Sequence, residues 1–107
     1  MDAEDVDLPA DQLQDAVVEL AHSMLDMARA GDAARLLPLV DQGAPVDMRS
    51  ADGNSMLMLA AYHGRAQLVR ELARRGADVD LMNDRGQTPL AGAVFKGVDD
   101  AVEELLG

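Results

Sequence analysis

Residues 64–97 read GRAQLVRELARRGADVDLMNDRGQTPLAGAVFKG, from Gly64 to Gly97. Both ends are a glycine followed by the start of a helical pattern. Shifting the chain by 33 residues superposes Gly31, Gly64 and Gly97; Leu36, Val69 and Val102; and Leu39, Leu72 and Leu105. The same shift carries Gly43 onto Gly76, Ala44 onto Ala77, Asp47 onto Asp80, Gly53 onto Gly86 and Leu57 onto Leu90. A period of this length, held by glycines and apolar positions together, marks stacked repeats, in which each unit buries its apolar face against its neighbours.

Working outward, helical spacing over Leu13, Val17, Leu20, Met24, Met27 and Ala28 predicts an amphipathic helix from Pro9 to about Ala30. Pro9 suits its first turn, and Asp11, Asp15 and Glu19 suit the positive end of its dipole. The first half exceeds the repeat and is expected to act as an N-terminal cap. Gly31 can take the left-handed conformation that ends a helix. Asp32 can cap the next one, with Leu36, Leu37, Leu39 and Val40 as its buried face. Pro38 removes a hydrogen bond there and is expected only in about the first turn of a short or bent segment.

Gly43 closes that helix, and Asp52-Gly53 and Arg85-Gly86 are turn signals at equivalent places. Ser55 and Thr88 are expected N-caps, with Pro89 at the first helical position where its missing N–H costs nothing. Met56 lacks that preorganisation, so its corner should be slightly less rigid. The following helix should turn Leu68, Val69 and Leu72 inward and Arg65, Arg70, Arg74 and Arg75 outward. In the last helix, Asp99 to Leu106, the inward set is Ala101, Val102, Leu105 and Leu106. Terminal repeats need a polar outer face, so either Asp99, Asp100, Glu103 and Glu104 supply it or a further segment follows.

Gly76-Ala77-Asp78-Val79-Asp80, then Gly86 and Thr88-Pro89-Leu90, resemble the most diagnostic part of the ankyrin repeat. The resemblance implies units of two short antiparallel helices followed by a hairpin-like finger, and hence an all-α solenoid of about three helix-turn-helix repeats. The repeat domain would cover residues 9–107, with repeats at about 20–52, 53–85 and 86–107, after an acidic mobile leader at 1–8. The middle unit departs from the pattern, with Ser55-Met56-Leu57 for Thr-Pro-Leu and Met58 where the family usually has His. The first has His22 and Ser23 at the corresponding places, and the third has Ala91 and Gly92. The acidic leader, Tyr62-His63-Gly64 and Asn83-Asp84-Arg85-Gly86-Gln87 are most similar to small stand-alone bacterial ankyrin proteins.

Composition bounds the function. A chain of 107 residues makes one domain, and with Tyr62 and Phe95 as its only aromatics the core must be Ala, Leu, Val and Met. The absence of cysteine removes disulfides, thiolate metal sites and thiol catalysis. No apolar run near the start resembles a signal peptide or membrane span, so a cytoplasmic protein is expected. The net charge of −11 sits at the ends: residues 1–20 carry seven acids and no base, residues 99–104 carry four acids, and nine acids balance nine bases between. Direct binding to nucleic acid is disfavoured, because that affinity comes from cations displacing counterions.

His63, Ser55 and Asp52 invite a hydrolase reading, but eight helical residues would hold His63 roughly 12 Å from Ser55, out of hydrogen-bond reach. His22 and His63 are single, without the spacing that binds zinc, and adjacent acids such as Glu103 and Glu104 diverge by about 100° around a helix. No catalytic residue, metal or cofactor is expected. Met24 and Met27 keep helical period and read as soft core filler, whereas the resemblance places Met82 near a finger tip.

The expected function is that of a non-catalytic module binding another protein on a concave surface of fingers and inner helices. By resemblance the contacts are Arg49, Asp52, Asn54, Tyr62 and His63 in the second repeat and Met82, Asp84, Arg85, Gln87, Phe95 and Lys96 in the third. Arg29 joins them, because it precedes Tyr62 and Phe95 in a column at 33-residue spacing. The rival expectation is an acidic inhibitor, or nucleic-acid mimic, whose leader and last helix block a basic protein groove. A monomer is expected, with weak end-to-end association through the Leu105 and Leu106 edge.

Overall fold

The computed structural model describes the backbone of residues 10–107 and the side chains of residues 14–107. The expected leader, Pro9 and the side chain of Leu13 lie outside the described residues. Six helices follow one another: α1 (Ala10–Ala30), α2 (Ala33–Asp41), α3 (Met56–Tyr62), α4 (Ala66–Arg74), α5 (Pro89–Lys96) and α6 (Asp99–Leu106). Each odd helix packs on the even one after it. The pairs stack so that α1, α3 and α5 form an inner layer and α2, α4 and α6 an outer one. This is an all-α solenoid of three repeats.

The 33-residue period is visible in the backbone. After each inner helix the amide following the glycine reaches back five residues: Asp32 to Met27 (2.9 Å), Arg65 to Ala60 (2.8 Å) and Val98 to Ala93 (3.1 Å). Ala44 to Leu39 and Ala77 to Leu72, both 3.1 Å, end two outer helices in the same way. These bonds satisfy helix carbonyls that would otherwise lack donors, and they need a left-handed residue just before the donor. Gly64 supplies it at φ 74°. The starts repeat too: the Ser55 hydroxyl accepts from the Met58 amide at 3.0 Å, and the Thr88 hydroxyl accepts from Ala91 at 3.1 Å.

A continuous core runs through the stack, with Met24, Leu36, Met56, Leu57, Leu68, Val69 and Leu72 almost wholly buried. Two fingers precede α3 and α5. The Ser50 backbone amide donates to the Asn54 carbonyl at 2.8 Å and the Asn83 backbone amide to the Gln87 carbonyl at 3.0 Å, closing equivalent tight turns. Among the described residues, β-type pairing is limited to one antiparallel bridge, Arg49 with Ser55.

Four expectations are corrected. Val17 and Leu20, assigned to a buried face, are 66% and 48% exposed. The reason is length: α1 has 21 residues and α3 seven, so at 1.5 Å per residue α3 can cover only about a third of it. The first half of α1 thus projects past the stack instead of capping it, while Leu25 joins the core. Leu106 is 69% exposed, because neighbours on a helix point about 100° apart and the half-buried Leu105 takes the inward direction. Pro38 lies in the second turn of α2, not the first. Pro38 and Ala34 are both exposed there, so water can satisfy the carbonyl left without a donor. Arg75 is half-buried, with its side chain 26% exposed, instead of turned outward.

Candidate partner-binding groove

The fingers and inner helices enclose a groove of about 310 Å³, lined by Asp52, Asn54, Asn83, Asp84, Arg85 and Gln87 from the fingers, Met58, Leu59 and Tyr62 from α3, and Phe95 from α5. Its finger side is organised by Asn83. The Asn83 amide nitrogen donates to Asn54 Oδ1 at 2.9 Å and to Gln87 Oε1 at 3.0 Å. Its Oδ1 accepts from the Arg85 and Gln87 amides, each at 3.0 Å. All the hydrogen-bonding capacity of the Asn83 side chain is used, which fixes the turn and holds one finger against the other. The Asp84 amide donates to the Asp52 carbonyl at 3.2 Å. A Cβ on Gly53 would collide with the Asp84 carboxylate there.

The floor is apolar and close-packed. Met58 is 3% exposed, and its methyl group stands where a Cβ on Gly92 would approach to 2.7 Å. A small residue in α5 therefore lets Met58 fill the gap between inner helices, as a flexible thioether can. Phe95 is 77% exposed and Tyr62 half-buried. The Tyr62 ring makes an edge contact with His63 at 5.5 Å between centroids, and Lys96 Nζ lies 5.3 Å from the Tyr62 centroid, within cation–π range. The His63 imidazole is held below its ordinary pKa, first by partial removal from water and then by the Arg65, Arg29 and Lys96 charges.

Of the expected contact residues, the groove brings together Asp52, Asn54, Tyr62, Asp84, Arg85, Gln87 and Phe95. His63 and Lys96 flank it through Tyr62. Arg29 lies apart, in a neighbouring hollow that also includes Asp52, and its guanidinium pairs with Asp26 at 2.6 Å. Arg49 donates to the Met82 carbonyl at 3.2 Å, tying the fingers together, and the Met82 side chain is 52% exposed. The sequence reading missed Met58, Leu59 and Asn83. Asn two residues before an Arg-Gly turn was a usable signal for Asn83, since Asn favours side-chain bonding to backbone two residues on.

The outer face has a different character. Arg70 reaches Glu104 of the next repeat at 2.9 Å, Arg75 bonds Asp41 of the previous repeat at 2.8 Å and Glu71 at 2.9 Å, and Arg74 bonds Glu71 at 3.2 Å. Arg70 and Arg75 thus join repeats, whereas Arg74 pairs only within its own helix. Ser55 is 1% exposed with its hydroxyl engaged at the start of α3, and His63 follows the other end of that helix, so the two cannot act together. Among the described residues no group of three or more His, Cys, Asp or Glu could hold a metal ion, and no helix is long and apolar enough to cross a membrane.

Residues 24–107 match the family model for ankyrin repeats in three copies. The chain is 50% identical over 64 residues to an ankyrin repeat protein of Pseudomonas aeruginosa, covering 60% of this chain and 37% of that protein. It is 43% identical over 63 residues to human ankyrin repeat domain-containing protein 29, covering 58% of this chain and 21% of the relative. Similarity to the rat nuclear factor NF-kappa-B p105 subunit is 36% identity over 92 residues, covering 80% and 9%. The chain thus spans well under half the length of these relatives.

Proposed function

The chain belongs to the ankyrin repeat family, whose members act as non-catalytic protein-interaction modules, and we propose that it binds a partner protein along the groove between its fingers and inner helices. The observation that carries this reading is Phe95, a large aromatic left 77% exposed at the groove wall of a chain with only two aromatics. Leaving it in water sacrifices apolar burial at no gain to the fold. Aromatic residues are enriched at interface centres because they combine large contact area with few rotors. The predicted contacts outside the groove, Arg29, Arg49 and Met82, would extend the interface along the fingers and toward the first repeat. The protein acts as a monomer in the cytoplasm under this reading, without catalysis, metal or cofactor.

The test is affinity capture from native cell extract with the wild type, Phe95→Ala and, as an outer-face control, Arg74→Ala. A partner retained by the wild type and the control but lost by Phe95→Ala supports the reading. Retention by all three refutes it.

The acidic-inhibitor reading draws on the end-concentrated charge. Against it, Glu104 of the last helix is already engaged by Arg70. Salt separates the two: contacts between exposed charges weaken as the Debye length shrinks, whereas an apolar groove contact persists.

A further inference from the structure

Resting on the groove reading, we infer that the partner segment is acidic, seating a carboxylate beside Lys96 and His63 while an apolar side chain lies on Tyr62 and Phe95. The observation is where cations remain unpaired. The outer-helix arginines Arg35, Arg70, Arg74 and Arg75 each pair with a carboxylate, and Arg29 pairs with Asp26. Among the described residues Arg49, Arg65, Arg85 and Lys96 make no ion pair. Arg49 and Arg85 lie on the fingers, Lys96 ends inner helix α5, and Arg65 stands in the turn that joins α3 to α4. In a chain of 20 acids and nine bases a cation left without an acid stands out, and Lys96 is one such cation beside the groove's aromatic wall.

The inner-helix end has a particular geometry. Lys96 Nζ is held 5.3 Å from the Tyr62 centroid, His63 packs edge-on to the same ring, and Arg65 Nε donates to the Arg29 carbonyl at 2.9 Å, which fixes that guanidinium nearby. The His63 imidazole is held below its ordinary pKa first by partial removal from water and then by the Arg65, Arg29 and Lys96 charges, so cationic charge acts at this helix end beside the Lys96–Tyr62–His63 contact. An anion there would relieve their repulsion and gain donors already in place. At the groove's finger side Asp52 and Asp84 would repel the same anion, which orients the segment with its acid at the helix ends. Carboxylate is favoured over nucleic acid because few cations gather here on a chain of net charge −11.

Panning a displayed library of random peptides of roughly 12 residues, a length suited to groove recognition, tests the inference. Recovered peptides would be synthesised and titrated against the wild type, Lys96→Glu and Phe95→Ala. Lys96 is exposed, and a thermal melt of each variant checks the fold. The expected result is enrichment of Asp or Glu next to an apolar residue relative to the input library, with binding about tenfold weaker in Lys96→Glu, the low end for close interfacial charge pairs. Recovered peptides without acid enrichment, or indifferent to Lys96→Glu, overturn the inference. If Phe95→Ala still weakens them, the groove reading survives. If neither variant matters, both readings fall. Failure to recover any peptide, or equal binding of a single-stranded oligonucleotide, also overturns the acidic segment.

Discussion

Arg75 Nε donates to Asp41 Oδ1 at 2.8 Å and Arg75 Nη1 to Glu71 Oε1 at 2.9 Å, so one guanidinium joins the end of α2 to α4 across a repeat boundary. Arg74 has a single partner, Glu71, within its own helix. The hydrogen bond from Arg75 holds the Asp41 carboxyl below its ordinary pKa, and the same contact raises the affinity of Arg75 for its proton. A depressed carboxylate contributes stability that is complete above its unfolded pKa, about 3.9, and lost as pH falls through the folded value. Arg75→Ala should therefore destabilise the stack more than Arg74→Ala. The difference should shrink in high salt and on acidification below the carboxylate range. Denaturant melts of the two variants at low and high salt measure it, and equal midpoints would show that the pair contributes nothing.

Leu72 is fully buried and belongs to the core shared by all three repeats. Leu72→Ala should cost roughly 2 to 5 kcal/mol, the range for such deletions in packed cores. In so short an array the repeats should unfold together. Hydrogen exchange that leaves the second half of α1 protected in Leu72→Ala, while α3 to α6 open, would contradict a single cooperative core.

Gly53 and Gly86 hold the same place in successive fingers, at φ 80° and 76°. Of the two, only Gly53 faces a neighbour: its Cβ would meet the Asp84 carboxylate and stand 2.9 Å from the Asp84 amide, whereas a Cβ on Gly86 would meet no atom within 4 Å beyond its chain neighbours. Gly86→Ala should therefore carry only the left-handed penalty, about 1 to 2 kcal/mol. Gly53→Ala should carry that penalty and a displaced finger as well. Equal losses in thermal melts would mean that the fingers separate without cost.

These comparisons show which features were legible in the sequence. Helix ends were, because the backbone bonds of Asp32, Arg65 and Val98 depend on a glycine just before them, and glycines at fixed spacing are visible directly. The caps Ser55 and Thr88 were legible for the same local reason. Arg70 with Glu104 was not, since long side chains choose among several carboxylates only once the repeats are stacked. The exposure of Val17 was hidden too: helical period identifies an apolar face but not whether an element exists to cover it. In the groove, the wall residues Tyr62 and Phe95 follow from the repeat spacing. The floor made by Met58 over Gly92 depends on the approach of two helices, which no single stretch encodes.

His63 gives a pH prediction in a separate window. Its folded pKa is depressed, so as pH falls the unfolded chain takes up the proton first, near the ordinary value of about 6.5. The stability linked to its neutral form is complete above that value and declines as pH drops through it toward the folded pKa. Between about pH 7.5 and about pH 5.5 the denaturation midpoint of the wild type should fall, and that of His63→Gln should fall less. Parallel declines would locate the sensitivity at another group.

The last prediction separates the two aromatics. Tyr62 and Phe95 lie 33 residues apart and occupy equivalent positions at the ends of α3 and α5, yet they are not equally free. Tyr62 is half-buried, packed against His63 and beneath Lys96, with its ring edge 3.7 Å from where a Gly92 Cβ would lie. Phe95 is 77% exposed. Truncating Phe95 to Ala should thus change stability by no more than about 0.5 kcal/mol, as at an ordinary surface position. Tyr62→Ala should cost more, because it removes packing between α3 and α5, yet less than Leu72→Ala. Against a partner held in the groove, both substitutions should weaken binding by roughly 1 to 3 kcal/mol, the range of interface anchors. Phe95→Ala is the cleaner probe, since its loss of affinity cannot be ascribed to unfolding. One titration and one melt per variant measure these effects. Unchanged affinity in Phe95→Ala would move the binding surface away from the inner helices, toward the tips of the fingers.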